Sequence, residues 1–187
     1  MDAALKGETE FKSIQQKENP VDSKETKAVA DYLVADFEFE MGTTLRVLEA
    51  VPNAKLDYKP ADKSKTALGL VRHITLEDEW LLNSIADGEF KTPPDDSDKC
   101  GIMTPADAAA RYKEKIPAAL NRVRAMSGEQ LSKVIDLLGL MQMPGINFLG
   151  MAVKHSVHHR GQLSTYLRPL GGKVPSIYGP TADTREQ

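Results

Sequence analysis

Apolar residues recur at three- and four-residue intervals over four stretches of this chain, the spacing that lays one face of an α-helix against a core. In the first, residues 23–50, Ala30, Leu33, Phe37, Met41, Leu45 and Leu48 form the stripe, and Val51-Pro52-Asn53 ends it. The second, residues 65–86, carries Leu70, Ile74, Leu81 and Ile85, with Gly88 placed to cap its C-terminus. Thr104-Pro105-Ala106-Asp107 opens the third: Thr caps free amides, Pro suits the first helical position and Asp favours the positive helix end. Ala109, Tyr112, Ile116, Leu120, Val123 and Met126 continue that helix, and Pro117 predicts a kink within it. Ser127-Gly128-Glu129-Gln130 reads as a capping box that opens one further short turn. The fourth long helix is expected to start just after Pro144 and to stop near Leu170, before Gly171-Gly172. No strand is predicted.

The pattern therefore predicts an all-α four-helix bundle over residues 23–187, ending in an irregular tail, with residues 1–22 read as a flexible N-terminal segment. A long polar connection, roughly residues 87–103, is able to run the length of a bundle and so allows helices two and three to lie parallel. With 187 residues, 41% of them apolar, the chain is large enough for one real core. A formal net charge of −3 without a basic run argues against nucleic-acid binding, and no segment is apolar enough to predict a signal peptide or membrane span. The single cysteine, Cys100, fits a reducing compartment, so a cytoplasmic location is expected.

The chemistry sits in the histidines. There are four: His73 in the second helix, and His155, His158 and His159 in the last. At about 100° per residue, His155 and His159 share one face of their helix, together with Phe148, Met151, Gln162 and Tyr166. His158 points off that face and is read as a rim or outer residue. The stripe around His73 holds Glu77 and Trp80, so a third imidazole can meet the other two across the bundle. Three neutral imidazoles suit a divalent metal and leave its charge uncompensated and a coordination position open, for activating water or holding a thiol. Zinc, nickel, cobalt and iron all suit this ligand set, with manganese a further candidate.

Glu77, one turn beyond His73, is the candidate general base or partner of a ligand; Asp78 and Glu79 are assigned to the solvated face or to salt bridges. Gln162 and Tyr166 are expected to offer hydrogen bonds to a pocket, Trp80 and Phe148 to wall it, and Met151 to lie beside them. Arg160 is read as an ion-pair partner, although Arg160 or Arg72 would also serve as an anion-binding rim. Gly161 costs its helix ~1 kcal/mol relative to Ala and suggests close helix packing.

His73 within Val71-Arg72-His73-Ile74, the run His155-Ser156-Val157-His158-His159-Arg160-Gly161-Gln162 and the tail Leu170-Gly171-Gly172-Lys173-Val174-Pro175-Ser176-Ile177-Tyr178-Gly179-Pro180 resemble the DinB/YfiT-like metalloenzymes over residues 23–183. The resemblance implies a bundle in up-down-down-up order, often dimeric, holding zinc or nickel on three histidines at the positions of His73, His155 and His159. It also implies a small-molecule substrate and S-transfer with a low-molecular-weight thiol such as bacillithiol or mycothiol, which puts thiol transfer slightly ahead of the hydrolysis that a metal-activated water would also allow. The expectation is a small bacterial metalloenzyme. The alternative is a noncatalytic stress-response protein whose metal only stabilises the bundle.

Overall fold

A computed structural model describes residues 22–185. The N-terminal segment given above as flexible lies, up to residue 21, outside them. Four long helices dominate: α1 (Ser23–Glu49), α2 (Ala67–Asp87), α3 (Pro105–Arg124) and α5 (Gly145–Leu167), with a short α4 (Gly128–Ser132) between the last two. Their ends follow local chemistry. The Thr66 hydroxyl caps α2 by accepting from Gly69 N–H at 3.0 Å, and Gly88 terminates it at φ 73°, a left-handed conformation that costs glycine nothing. Thr104 and Asp107 form a reciprocal capping box on α3, as Ser127 and Gln130 do on α4. Helix α3 runs through Pro117 to Arg124. Gly128 is required where α4 meets the start of α1, because a Cβ there would stand 1.7 Å from the Ser23 carbonyl oxygen.

Side-chain bridges fix the direction of every helix. Glu49 pairs with Lys113 and Glu38 with Arg124, so α1 and α3 are antiparallel. Glu79 pairs with Arg111 and Asp87 with Arg122, which makes α2 and α3 parallel. His73 meets His159 while Asp78 meets His155, so α2 and α5 are antiparallel. The order is up-down-down-up. The segment 88–104 allows the parallel pair by returning along the bundle through a single 3₁₀ turn, Asp98–Cys100. Phe37, Leu48, Leu70, Ile74, Ile116, Leu120, Phe148 and Leu163 fill the space between the four helices. No helix among the described residues is long and apolar enough to cross a membrane.

The absence of strands does not hold. Val134–Leu137 and Met141–Pro144 form a two-stranded antiparallel hairpin, β1 and β2. Leu138 and Gly139 take φ of 52° and 76° at its turn, the sign pattern of a type I′ connection. The hairpin positions the last helix: Pro144 offers no side-chain cap to α5, and the Gly145 N–H instead donates to the Lys133 carbonyl at 3.0 Å. The close packing expected at Gly161 is also absent, since that residue is exposed and a Cβ would meet only open space. Nothing in the structure explains the glycine.

Candidate metal centre

Helices α2 and α5 bring His73 together with His155 and His159, which lie 82 and 86 positions further along the chain. One ring nitrogen from each of His73, His155 and His159 falls in a group lying within 4.8 Å of one another. The Nε2 atoms of His73 and His159 are 3.1 Å apart. Donor atoms of a tetrahedral ion with bonds of about 2.0–2.1 Å stand roughly 3.3 Å apart, so the spacing fits a divalent metal. All three histidines are partly buried.

The protons on the far side of the rings are held by the protein. His155 Nδ1–H faces Asp78 Oδ1 at 3.1 Å, and His159 Nδ1–H faces Gln162 Oε1 at 3.0 Å. Each bond puts the proton on Nδ1 and leaves the Nε2 lone pair for an ion, the usual arrangement behind metal-binding histidines. Glu77 Oε1 stands 3.9 Å from His73 Nδ1. Burial raises the Glu77 carboxyl above its usual range, while nearby His155 pulls it the other way.

Burial, helped by the charges of His159 and His155, lowers the His73 imidazole from 6.5 to about 4, and burial lowers His159 as well. His73 is therefore neutral and ready to coordinate at physiological pH. The metal-free protein should accordingly lose stability on acidification. Between pH 6.5 and about 4 the unfolded chain takes a proton at His73 that the folded chain declines, so stability falls as pH drops and levels off for this group below about 4. The loss amounts to as much as about 3 kcal/mol, at about 1.4 kcal/mol per pH unit. Denaturant unfolding of chelator-treated protein at several pH values measures it, and His73→Gln should flatten the slope.

Asp78 corrects the sequence reading. Far from belonging to a solvated face, it is fully buried, with Oδ1 on His155 and Oδ2 accepting from the Tyr112 hydroxyl at 2.8 Å. Burial and the Asp78 charge push Tyr112 well above its normal pKa, so it remains a phenol. The metal charge expected to stand uncompensated thus has carboxylates behind two of its three ligands. Glu79, by contrast, makes the expected salt bridge, to Arg111 at 2.8 Å.

The remaining candidates fall into different places. His158 is exposed, with its ring 4.7 Å from that of His159, and Met151 is half-buried against the core. Phe148 is fully buried against Phe90, on whose other side the Trp80 ring packs. The Tyr166 hydroxyl donates to the Lys65 carbonyl at 3.2 Å. Arg160 is buried and turned away from the histidines, bonded to Glu40 of α1 and, at 2.6 Å, to the Tyr178 hydroxyl of the tail. Arg72 is likewise engaged, donating to the Ile102 carbonyl at 2.7 Å and pairing with Asp98 at 2.8 Å. Neither arginine presents a free guanidinium rim.

The chain is similar to the uncharacterized protein YjoA of Bacillus subtilis, at 29% identity over 145 residues, which cover 76% of this chain and 91% of that protein. Superposed on a crystal structure of YjoA, the fold gives a TM-score of 0.62 over 80% of this chain and 99% of the other, at 25% identity. A DinB-like protein from Bacillus cereus shares the fold with a TM-score of 0.67 at 21% identity, over 79% of this chain and 97% of that one. YfiT from B. subtilis, described as a probable metal-dependent hydrolase with an unusual four-helix bundle topology, has a TM-score of 0.62 at 16% identity, over 84% of this chain and 94% of its own. The DinB family model matches residues 16–187. With that match spanning nearly the whole chain, and three histidines gathered between α2 and α5 of a bundle of this topology, the chain belongs to the DinB family.

Proposed function

We propose that this protein is a metal-dependent hydrolase of a small molecule, with His73, His155 and His159 as ligands and Glu77 as general base. The observation that carries the reading is the half-buried Glu77 carboxylate, one helical turn beyond His73 and 3.9 Å from its Nδ1. When bound, a divalent ion, zinc or nickel first among the candidates, supplies Lewis acidity toward water and toward a carbonyl or phosphoryl oxygen. The protein does the rest. Its raised pKa suits Glu77 to take a proton from the attacking water at neutral pH and return it to the leaving group. Asp78 and Gln162 keep the ligand rings from turning.

S-transfer from a low-molecular-weight thiol is the weaker reading, because the guanidinium groups expected to anchor such a thiol are spent on Glu40 and Asp98. The description of YfiT agrees with hydrolysis. The same proposal carries a cytoplasmic location, supported by the lone Cys100, and a homodimer, supported by the family resemblance.

Metal-loaded protein assayed against ester, amide and thiol-plus-electrophile panels tests the reading. Turnover of an ester or amide is expected, abolished by chelation and reduced about 10²-fold or more in Glu77→Gln, with metal content unchanged. Turnover that survives in Glu77→Gln argues for thiol transfer. A chelator-sensitive melting temperature without turnover of any substrate leaves the noncatalytic reading.

A further inference from the structure

Three consecutive carboxylates on α2 meet three different fates. Glu79 reaches Arg111 of α3 at 2.8 Å, and Glu77 lies half-buried beside His73. Asp78, between them, is fully buried, and among the described residues no lysine or arginine pairs with it. Its donors are His155 Nδ1–H at 3.1 Å and the Tyr112 hydroxyl at 2.8 Å. Tyr112 is itself fully buried, with its hydroxyl 3.4 Å from Ser156 Oγ. Glu40, the other buried carboxylate among the described residues, has the guanidinium of Arg160 against it.

A carboxylate removed from water is strongly disfavoured unless an opposite charge stands near it. For Glu40 that charge is the guanidinium of Arg160. For Asp78 the direction in which to find it is set by the hydrogen bond: through the His155 ring to Nε2, where the three imidazoles converge. Resting on the metal-binding reading, we infer that Asp78 is the built-in counter-charge of the centre, and that Asp78 and Tyr112 are positioning residues for His155. Asp78 holds the His155 proton on Nδ1, aims Nε2 at the ion and places one negative charge behind the ligand. Tyr112 occupies the second carboxylate oxygen from α3, so the carboxylate cannot rotate away. The pair ties the centre between α2 and α5 to a third helix of the bundle.

The test compares zinc affinity, by competition with a chromogenic chelator, and the visible spectrum of the cobalt(II) form in four proteins: the unaltered chain, Asp78→Asn, Tyr112→Phe and Glu79→Gln. Asparagine keeps the shape, since its carbonyl still accepts from His155 while its amide donates to the Tyr112 hydroxyl, so the charge is lost and the Tyr112 hydrogen bond is reversed but not removed. Asp78→Asn should weaken zinc binding about 10-fold or more and shift the cobalt bands, and Tyr112→Phe should act in the same direction by less. Glu79→Gln, which opens a salt bridge in the same turn of helix, should change neither. Asp78→Asn that binds zinc as tightly as the unaltered chain, or more tightly, with an unchanged cobalt spectrum would overturn the inference. Should circular dichroism show that Asp78→Asn is unfolded, an unchanged affinity and spectrum in Tyr112→Phe overturns it instead. Failure of the unaltered chain to bind any metal is a separate result, which removes the metal reading and this inference with it.

Discussion

Replacing His155 and His159 together with alanine should take the protein from about one metal per chain to none by elemental analysis, and metal-dependent turnover to background. Two of the three convergent nitrogens disappear, and His73 alone on α2 cannot hold a divalent ion at the concentrations of a purified protein. The rings are only partly buried, so the bundle should survive the change. It should nonetheless be weakened, because Asp78 keeps its charge and loses one of its two hydrogen-bond donors. Metal retained in the double variant would place the ligands elsewhere and dismiss the centre altogether.

Arg160→Ala should be the most damaging single change away from the centre. It leaves Glu40, 6% exposed, with the Tyr178 hydroxyl as its remaining partner, 2.8 Å away. Removing one member of a buried ion pair costs about 3–5 kcal/mol, which for a chain of this length is a fall in Tm of roughly 10 °C. The pair itself is poorly suited to stabilise, since Arg160 Nε is buried without a partner among the described residues. Replacing both members, Glu40→Gln with Arg160→Met, should therefore recover most of the loss. Denaturant unfolding of the single and double variants reads the difference. A single variant that loses less than about 1 kcal/mol would mean that the pair is solvated in the folded protein. Metal content should be unaffected in the double variant, despite the proximity of Arg160 to His159 in sequence.

The convergence of the histidines was legible because a four-residue interval on a helix sets direction as well as separation, and because the one remaining histidine, His158, points off the shared face. Asp78 was not legible by the same device. A helical wheel centred on His73 gives α2 one functional face, whereas α2 packs against both α3 and α5, and Asp78 turns into the angle between them to serve His155 and Tyr112 at once. Arg160 was readable as an ion-pair partner, but its partners are 120 positions back on α1 and in a tail without periodicity. The hairpin escaped for a different reason. Ile135 and Leu137 alternate with exposed neighbours as a strand should, but over four residues, and Leu138 and Leu140 beside the turn blur the alternation. The parallel pairing of α2 and α3 was allowed by the length of the connection between them and decided by contacts such as Asp87 with Arg122, which no local pattern contains.

The placement of the ligands on α2 and α5 has a thermodynamic side. His73 and His155 are separated by most of α2, all of α3, α4 and the hairpin, so an ion gripped by both closes a loop of roughly 80 residues, comparable to a staple between distant parts of the chain. Because the ion binds the folded chain and not the unfolded one, the stabilisation grows with free metal as RT ln(1 + [M]/Kd), about 2.7 kcal/mol at a free-metal concentration a hundred times Kd. Nearly half the polypeptide is thereby held in its folded place whenever the clasp is shut. A bundle built this way should harden as it is loaded with metal, so that its resistance to heat becomes a gauge of occupancy.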